Sequence, residues 1–132
     1  MNGLRKIDTR QTPCTIYCIR LRGGYFYVGR TTNLERRLTE HETTPTAAWI
    51  KLHPMLHLEQ KWENCDIWDE DKIVKRLMHQ YGIDHVRGGS YSQPNLNPEQ
   101  LTALKREIIG ATDACYKCGK AGHFTRDCGT TE

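Results

Sequence analysis

The chain has 132 residues, of which 37% are hydrophobic, and a formal net charge of +3. This length supports one compact core with a small appendage, and the mild charge permits nucleic-acid contact without requiring it. No stretch approaches the roughly 18 apolar residues of a membrane span, and the N-terminus has no apolar run typical of a secretory signal. We therefore expect an intracellular protein, cytoplasmic or nuclear, that is neither secreted nor bound to a membrane.

The first predicted element is a β-hairpin made of two runs rich in β-branched and aromatic residues, 15–21 and 25–29, separated by glycines. A two-residue turn would put Tyr17 and Tyr27 on opposite faces of the hairpin. A three-residue turn puts Tyr17, Tyr25 and Tyr27 on one face and the more apolar side chains on the other. We predict the three-residue turn, or an equivalent bulge.

A helix is predicted next, over residues 33–42, with Thr32 and Glu35 in the pattern of a capping box. Two leucines define its buried stripe. Arg37 and His41, one turn apart, flank that stripe. These two side chains are therefore placed to build a site at the edge of the sheet.

A second long helix is predicted from Asp69 to Tyr81, with Gly82 as its C-cap. On a helical wheel Glu70 lies near the centre of the apolar stripe and Asp71 about 90° from it. An inward-pointing carboxylate is costly unless it has a partner. The alternative is that Glu70 only favours the helix N-terminus as an acidic residue.

The remaining predictions complete the architecture. They are a helical turn near 47–52, a weaker strand near 55–62, a loop over 83–97 and a last helix from Asn97, capped with Gln100, to Gly110. The predicted fold class is α+β, with a small three-stranded antiparallel sheet flanked by helices. The predicted domains are a main domain (1–92), a helical connector (93–112) and a metal-binding tail (113–132).

The tail contains the spacing Cys115-x2-Cys118-x4-His123-x4-Cys128. Three thiolates and one imidazole form a closed tetrahedral set that suits structural Zn²⁺. Because so short a tail cannot bury a core, metal binding would supply its folding energy. The whole pattern, CYKCGKAGHFTRDC, resembles the retroviral-type CCHC zinc knuckle.

The side chains between these ligands predict nucleic-acid binding. Tyr116 and Phe124 can stack on unpaired bases, and Lys117, Lys120 and Arg126 can meet phosphates. DNA, including branched or single-stranded DNA, is the expected partner, and the knuckle is also compatible with RNA. Because the charges of the tail cancel, a knuckle that binds protein is the alternative.

The main domain resembles the GIY-YIG nuclease family over about residues 14–92. The resemblance rests on Ile16-Tyr17, on Tyr27-Val28-Gly29 and on the run YVGRTTNLERRLTEH. Thr15 stands where the family has its first glycine, and Val28 replaces isoleucine. Thr15 would narrow the space for a phosphate near Tyr17.

The resemblance implies a site for phosphodiester hydrolysis. One divalent metal, Mg²⁺ or Mn²⁺, would be held by Glu70, and Arg37 would clamp the phosphate. Tyr17 would be the general base, its phenol made acidic by nearby cations, and Tyr27 would position phosphate or water.

Two further residues match the family pattern. His41 would relay protons or bind phosphate, and Gly29 would let the backbone pass close to the helix. The predicted function is a divalent-metal-dependent DNA endonuclease whose zinc knuckle binds nucleic acid. The alternatives are an inactive nuclease-like module that only binds nucleic acid, which Thr15 keeps open, and a protein adaptor that acts through the knuckle.

Overall fold

The computed structural model describes residues 13–111, and the chain divides into two compact units, residues 1–94 and 95–132. In chain order the elements are β1 (Cys14–Leu21), β2 (Tyr25–Thr31), α1 (Leu34–Thr43), α2 (Ala48–Leu52), β3 (Met55–Cys65), α3 (Asp69–Tyr81), a 3-10 turn (Ile83–His85), β4 (Val86–Gly88) and α4 (Pro98–Ala111). Of these elements, α4 lies in the second unit. The predicted domain boundaries stay predictions, and the tail lies outside the described residues.

The fold class is α+β with a sheet flanked by helices, as predicted, but the sheet has four strands rather than three. The strand order is β3-β1-β2-β4, with β1 antiparallel to both neighbours and β4 parallel to β2. The predicted loop over 83–97 is therefore wrong at β4. Three residues carry no strand pattern of their own, and pairing with Phe26, Tyr27 and Val28 makes this segment a strand.

The hairpin register confirms the three-residue turn. Leu21 pairs with Tyr25, and Tyr17 lies opposite Gly29. The two turn glycines have φ values of +90° and +85°, in the region that glycine adopts without steric cost. All three predicted tyrosines consequently share one face of the sheet.

Helices cover both faces of this sheet. On the tyrosine face, Ile19 packs in a buried cluster with Trp49 and Ile50 of α2. On the opposite face, the ring of Phe26 stacks on Tyr81 of α3 with centroids 4.1 Å apart. The tyrosine face is therefore part of the hydrophobic core as well as the face that carries the candidate site residues Tyr17 and Tyr27.

Helix α1 begins one residue later than predicted, and its cap is Asn33 rather than Thr32. Asn33 Oδ1 accepts a hydrogen bond from the Arg36 N–H at 3.1 Å, the role that N-cap side chains have. The Thr31 hydroxyl accepts the Asn33 N–H at 3.0 Å and fixes the entry into the helix. The capping-box assignment to Thr32 is therefore wrong.

The two later helices follow their local signals. Helix α3 runs from Asp69 to Tyr81 as predicted, and Gly82 follows it with φ +105°. In the second unit, Asn97 and Gln100 exchange the two hydrogen bonds of a capping box, at 3.1 and 2.8 Å. Strand β3 continues to Cys65, three residues past the prediction, because β1 supplies pairing partners that far. Within residues 13–111, no helix has the length and apolar character needed to cross a membrane.

Candidate active site

A hydrogen bond joins the sheet to α1 at the centre of the candidate site. The Tyr17 hydroxyl and His41 Nε2 are 2.6 Å apart, and both side chains are buried. His41 Nδ1 is also buried and has no hydrogen-bond partner among the described residues. The ring of Tyr27 meets the His41 ring edge-on with centroids 5.4 Å apart. The structure thus brings both predicted tyrosines to the predicted histidine.

Gly29 makes room for the Tyr17 ring. A Cβ atom at position 29 would lie 2.6 Å from Tyr17 Cζ, far inside van der Waals contact. The nearest atoms all belong to Tyr17 and none to α1, so the space expected for approach to the helix is occupied by the phenol. Any side chain at this position would push Tyr17 away from His41.

Arg37 lies one turn before His41 on α1. Its side chain is 42% exposed, and its Nε is 3.7 Å from Glu40 Oε1. Arg37, Glu40 and His41 line a recess of about 270 Å³. A surface ion pair of this length is weak, so the guanidinium can exchange Glu40 for a phosphate.

Glu70 lies in the first turn of α3, in a different recess from Arg37 and His41, and is paired with Arg30 of β2. Glu70 Oε1 and Arg30 Nε are 3.1 Å apart, and the Glu70 side chain is only 15% exposed. This is the partner that an inward carboxylate requires. Asp71 has a different neighbour, because its Oδ1 accepts the Ser90 backbone N–H at 2.8 Å.

A second recess, of about 390 Å³, lies at Glu70 and is lined also by Arg30, Asp71 and Trp68. Among residues 13–111, no group of three His, Cys, Asp or Glu side chains is placed to hold a metal. A hard ion such as Mg²⁺ accepts one or two carboxylates and keeps several waters. The oxygen donors and the size of this recess fit such a hydrated ion.

Burial dominates the protonation of the two tyrosines. It raises the pKa of Tyr17, Tyr27 adds to that rise, and Arg37 opposes it without cancelling it. It also raises the pKa of Tyr27, with Glu70 as the second cause. The expectation that nearby cations make Tyr17 acidic is therefore wrong for the protein alone, because desolvation outweighs the effect of Arg37, and the carboxylates of Glu70 and Glu40 raise the pKa further.

His41 has the opposite shift. Burial lowers the pKa of His41, and Arg37 lowers it further. The imidazole is therefore neutral near pH 7 and able to accept a proton from a group that it contacts.

The chain turns at the end of β4, where the backbones of Gly88 and Tyr91 exchange two hydrogen bonds of 3.0 and 2.8 Å. The Arg87 guanidinium is buried and donates to four backbone carbonyls, those of Ile83, Val86, Gln93 and Pro94. At Gly88, φ is +150° and a Cβ would lie 2.9 Å from the Val28 carbonyl carbon. Arg87 thus anchors β4 rather than facing a substrate.

The fold is an α+β domain in which Tyr17, Tyr27 and His41 lie together. The sequence matches the GIY-YIG catalytic domain over residues 13–78, half of the chain, and the chain belongs to that family. A second match, over residues 113–130, is to the zinc knuckle, which implies bound Zn²⁺. No curated protein and no solved structure showed a significant match.

The predicted residues of the knuckle lie outside the described part of the chain. They are the zinc ligands Cys115, Cys118, His123 and Cys128 and the nucleic-acid contacts Tyr116, Lys117, Lys120, Phe124 and Arg126.

Sequence reasoning missed Arg30. Strand alternation was a usable signal, because Arg30 shares the parity of Phe26 and therefore the sheet face that α3 covers. The pairing with Glu70 still required the fold, since 40 positions separate the two residues.

Proposed function

We propose that the protein is a divalent-metal-dependent endonuclease that hydrolyses phosphodiester bonds in DNA. The observation that carries the proposal is the 2.6 Å hydrogen bond between the Tyr17 hydroxyl and His41 Nε2. A buried phenol on a neutral imidazole can pass a proton along that bond. Membership of the GIY-YIG family supports the same reaction class.

The proposed proton path uses both groups. As water attacks phosphorus, the Tyr17 oxygen accepts the proton of the water, and the phenol proton moves to His41 Nε2. The phosphorus–oxygen bond to the leaving group then breaks. This path needs no free phenolate, which agrees with the raised pKa of Tyr17, and Tyr27 is left to position the water or a phosphate oxygen.

Glu70 would hold the Mg²⁺ or Mn²⁺ ion, with Arg30 displaced from the carboxylate. When bound, the ion would supply charge stabilisation at the phosphate and a water for the leaving oxygen. Arg37, partly exposed beside His41, would bind the phosphate. The Zn²⁺ knuckle would raise the effective concentration of nucleic acid at this site.

Plasmid nicking tests the proposal. We expect the wild type to nick supercoiled plasmid or cut branched DNA with Mg²⁺ and not with EDTA. We expect Glu70→Ala and Tyr17→Phe each to lower the rate by about 100-fold or more. Asp71→Ala is the matched control for the carboxylate and should retain most of the activity.

Several outcomes would count against this assignment. Wild-type nicking no greater than that of Glu70→Ala, with DNA binding intact, would favour the inactive binding module. Activity lost in Asp71→Ala but retained in Glu70→Ala would move the metal ligand to Asp71.

A further inference from the structure

The side chain of Trp68, in the turn before α3, is exposed to solvent. Trp68 is 73% exposed, more than the other exposed large hydrophobic residues among those described, which are Leu52, Leu56 and Ile67. Tryptophan is normally mostly buried, since exposing its large apolar ring is unfavourable. Packing among the described core residues does not account for an exposed ring at this position.

The backbone under this ring is held firmly. The Trp68 N–H donates to Asp66 Oδ1 at 2.7 Å, and the Asp69 N–H donates to the Asp66 carbonyl at 3.0 Å. Asp69 Oδ2 in turn accepts the Asp66 N–H at 3.0 Å. Because the turn is closed by its own hydrogen bonds, a ligand that stacks on the ring pays little additional ordering entropy.

The ring also lies at the candidate active site. Trp68 and Ile67 line the recess of about 390 Å³ that contains Glu70 and Arg30. This volume is within the range of small-ligand pockets. One recess therefore combines an apolar, aromatic part with the carboxylate and the cation of the site.

The charges around Trp68 determine which kind of chemical group can stack on its ring. Carboxylates at Asp66, Asp69 and Asp71 surround the turn and repel phosphate. Arg30 lines the same recess and would attract phosphate, as would a cation held by Glu70. The partner of the indole is therefore an uncharged planar group that is linked to a phosphate, which is the chemistry of a nucleobase.

We propose that Trp68 stacks on an unpaired nucleobase next to the phosphate that is cleaved. This rests on the proposed nuclease function and adds the substrate class, since a base within a paired duplex has no free face to offer. Stacking of one base on an aromatic side chain corresponds to about 5- to 150-fold in affinity.

The test uses the full chain and a DNA duplex with one unpaired 2-aminopurine, beside the fully paired duplex, with Ca²⁺ replacing Mg²⁺. Trp68→Ala should bind the bulged duplex about 5- to 150-fold more weakly and the paired duplex unchanged. Trp68→Phe should retain most of the affinity. Leu56→Ala, at an exposed apolar residue near the start of β3, should match the wild type.

Fluorescence of the 2-aminopurine, which stacking quenches, reports on the contact itself. Equal affinity of Trp68→Ala and the wild type for the bulged duplex would overturn the proposal, even if the wild type cleaves DNA. Loss of quenching and affinity in Trp68→Ala would support it, even if no cleavage is found. If Trp68→Ala instead alters self-association without changing base binding, the surface is a protein interface and the proposal is wrong.

Discussion

At the scale of single residues, the geometry of the site depends on space left by Gly29. The Tyr17 ring occupies the volume that a Cβ at this position would need, and this places the phenol on His41. The hairpin register is therefore necessary for the Tyr17–His41 contact but not sufficient. The residue across the strand pair must also have no side chain.

We predict that Gly29→Ala displaces Tyr17, lowers plasmid cleavage by about 100-fold and destabilises the fold by about 1–3 kcal/mol through overpacking. Gly24→Ala is the control, because a Cβ at that position meets nothing within 4 Å and the cost arises only from its φ of +85°. The control should lose about 1 kcal/mol or more of stability and keep its cleavage rate. Cleavage that is unchanged in Gly29→Ala would argue against a role for the Tyr17–His41 bond.

His41 makes stability depend on pH. Because its pKa in the fold lies below the ordinary 6.5, the unfolded chain binds more protons than the folded chain below that pH. Neutral His41 therefore makes its full contribution to the free energy of unfolding above pH 6.5. This contribution is lost as the pH falls through the folded-state pKa of His41.

We therefore predict that the free energy of unfolding falls more steeply for the wild type than for His41→Gln when pH is lowered from about 7.5 to about 5. Urea denaturation at several pH values measures the difference between the two proteins and cancels the contributions of the other titrating groups. If the free energy of unfolding depended on pH equally in the two proteins, the lowered pKa of His41 would be contradicted.

At the scale of elements, the start of α1 is decided by one side chain. Asn33 accepts the Arg36 N–H, whereas the Thr32 side chain makes no hydrogen bond with the described residues. Helix α1 carries Arg37 and His41, so this cap also fixes the position of the two site residues.

We predict that Asn33→Ala costs about 1 kcal/mol of stability and that Thr32→Ala changes it by less than about 0.5 kcal/mol. Chemical denaturation of the two variants provides a direct comparison of neighbouring positions. The reverse order would restore Thr32 as the cap.

At the scale of the whole molecule, the two proposed functions, DNA cleavage and nucleic-acid binding, are assigned to separate parts of the chain. The candidate active site belongs to the first unit, and the zinc knuckle matches residues 113–130 in the second. A tethered nucleic-acid binder raises the local concentration of substrate without altering the chemistry. Loss of the knuckle should therefore weaken binding and spare the chemical step.

We predict that Cys128→Ser loses bound Zn²⁺, weakens DNA binding by about 10-fold or more and leaves the rate at saturating DNA within about threefold. Metal analysis measures the bound Zn²⁺, KM reports the weaker DNA binding, and kcat reports the rate at saturating DNA. Cys65→Ser is the control, because this free cysteine lies outside the knuckle. Unchanged DNA affinity in the zinc-free variant would favour a protein-binding role for the knuckle.

The sequence by itself determined the features whose physical causes lie in neighbouring residues. Alternation and the two turn glycines predicted the hairpin register, Gly82 marked the end of α3, and the spacing of three cysteines and a histidine identified the knuckle. These signals lie within a few residues of one another, so their physical causes are present in the sequence itself.

Only the tertiary structure decided what depends on distant parts of the chain. Strand β4 exists because β2 pairs with it, Glu70 is paired because Arg30 reaches it, and Tyr17 holds its proton because the core around it excludes water. Pairing, ionic partners and desolvation depend on which surfaces come into contact, and the contacting residues are too far apart in sequence for any local pattern to reveal them.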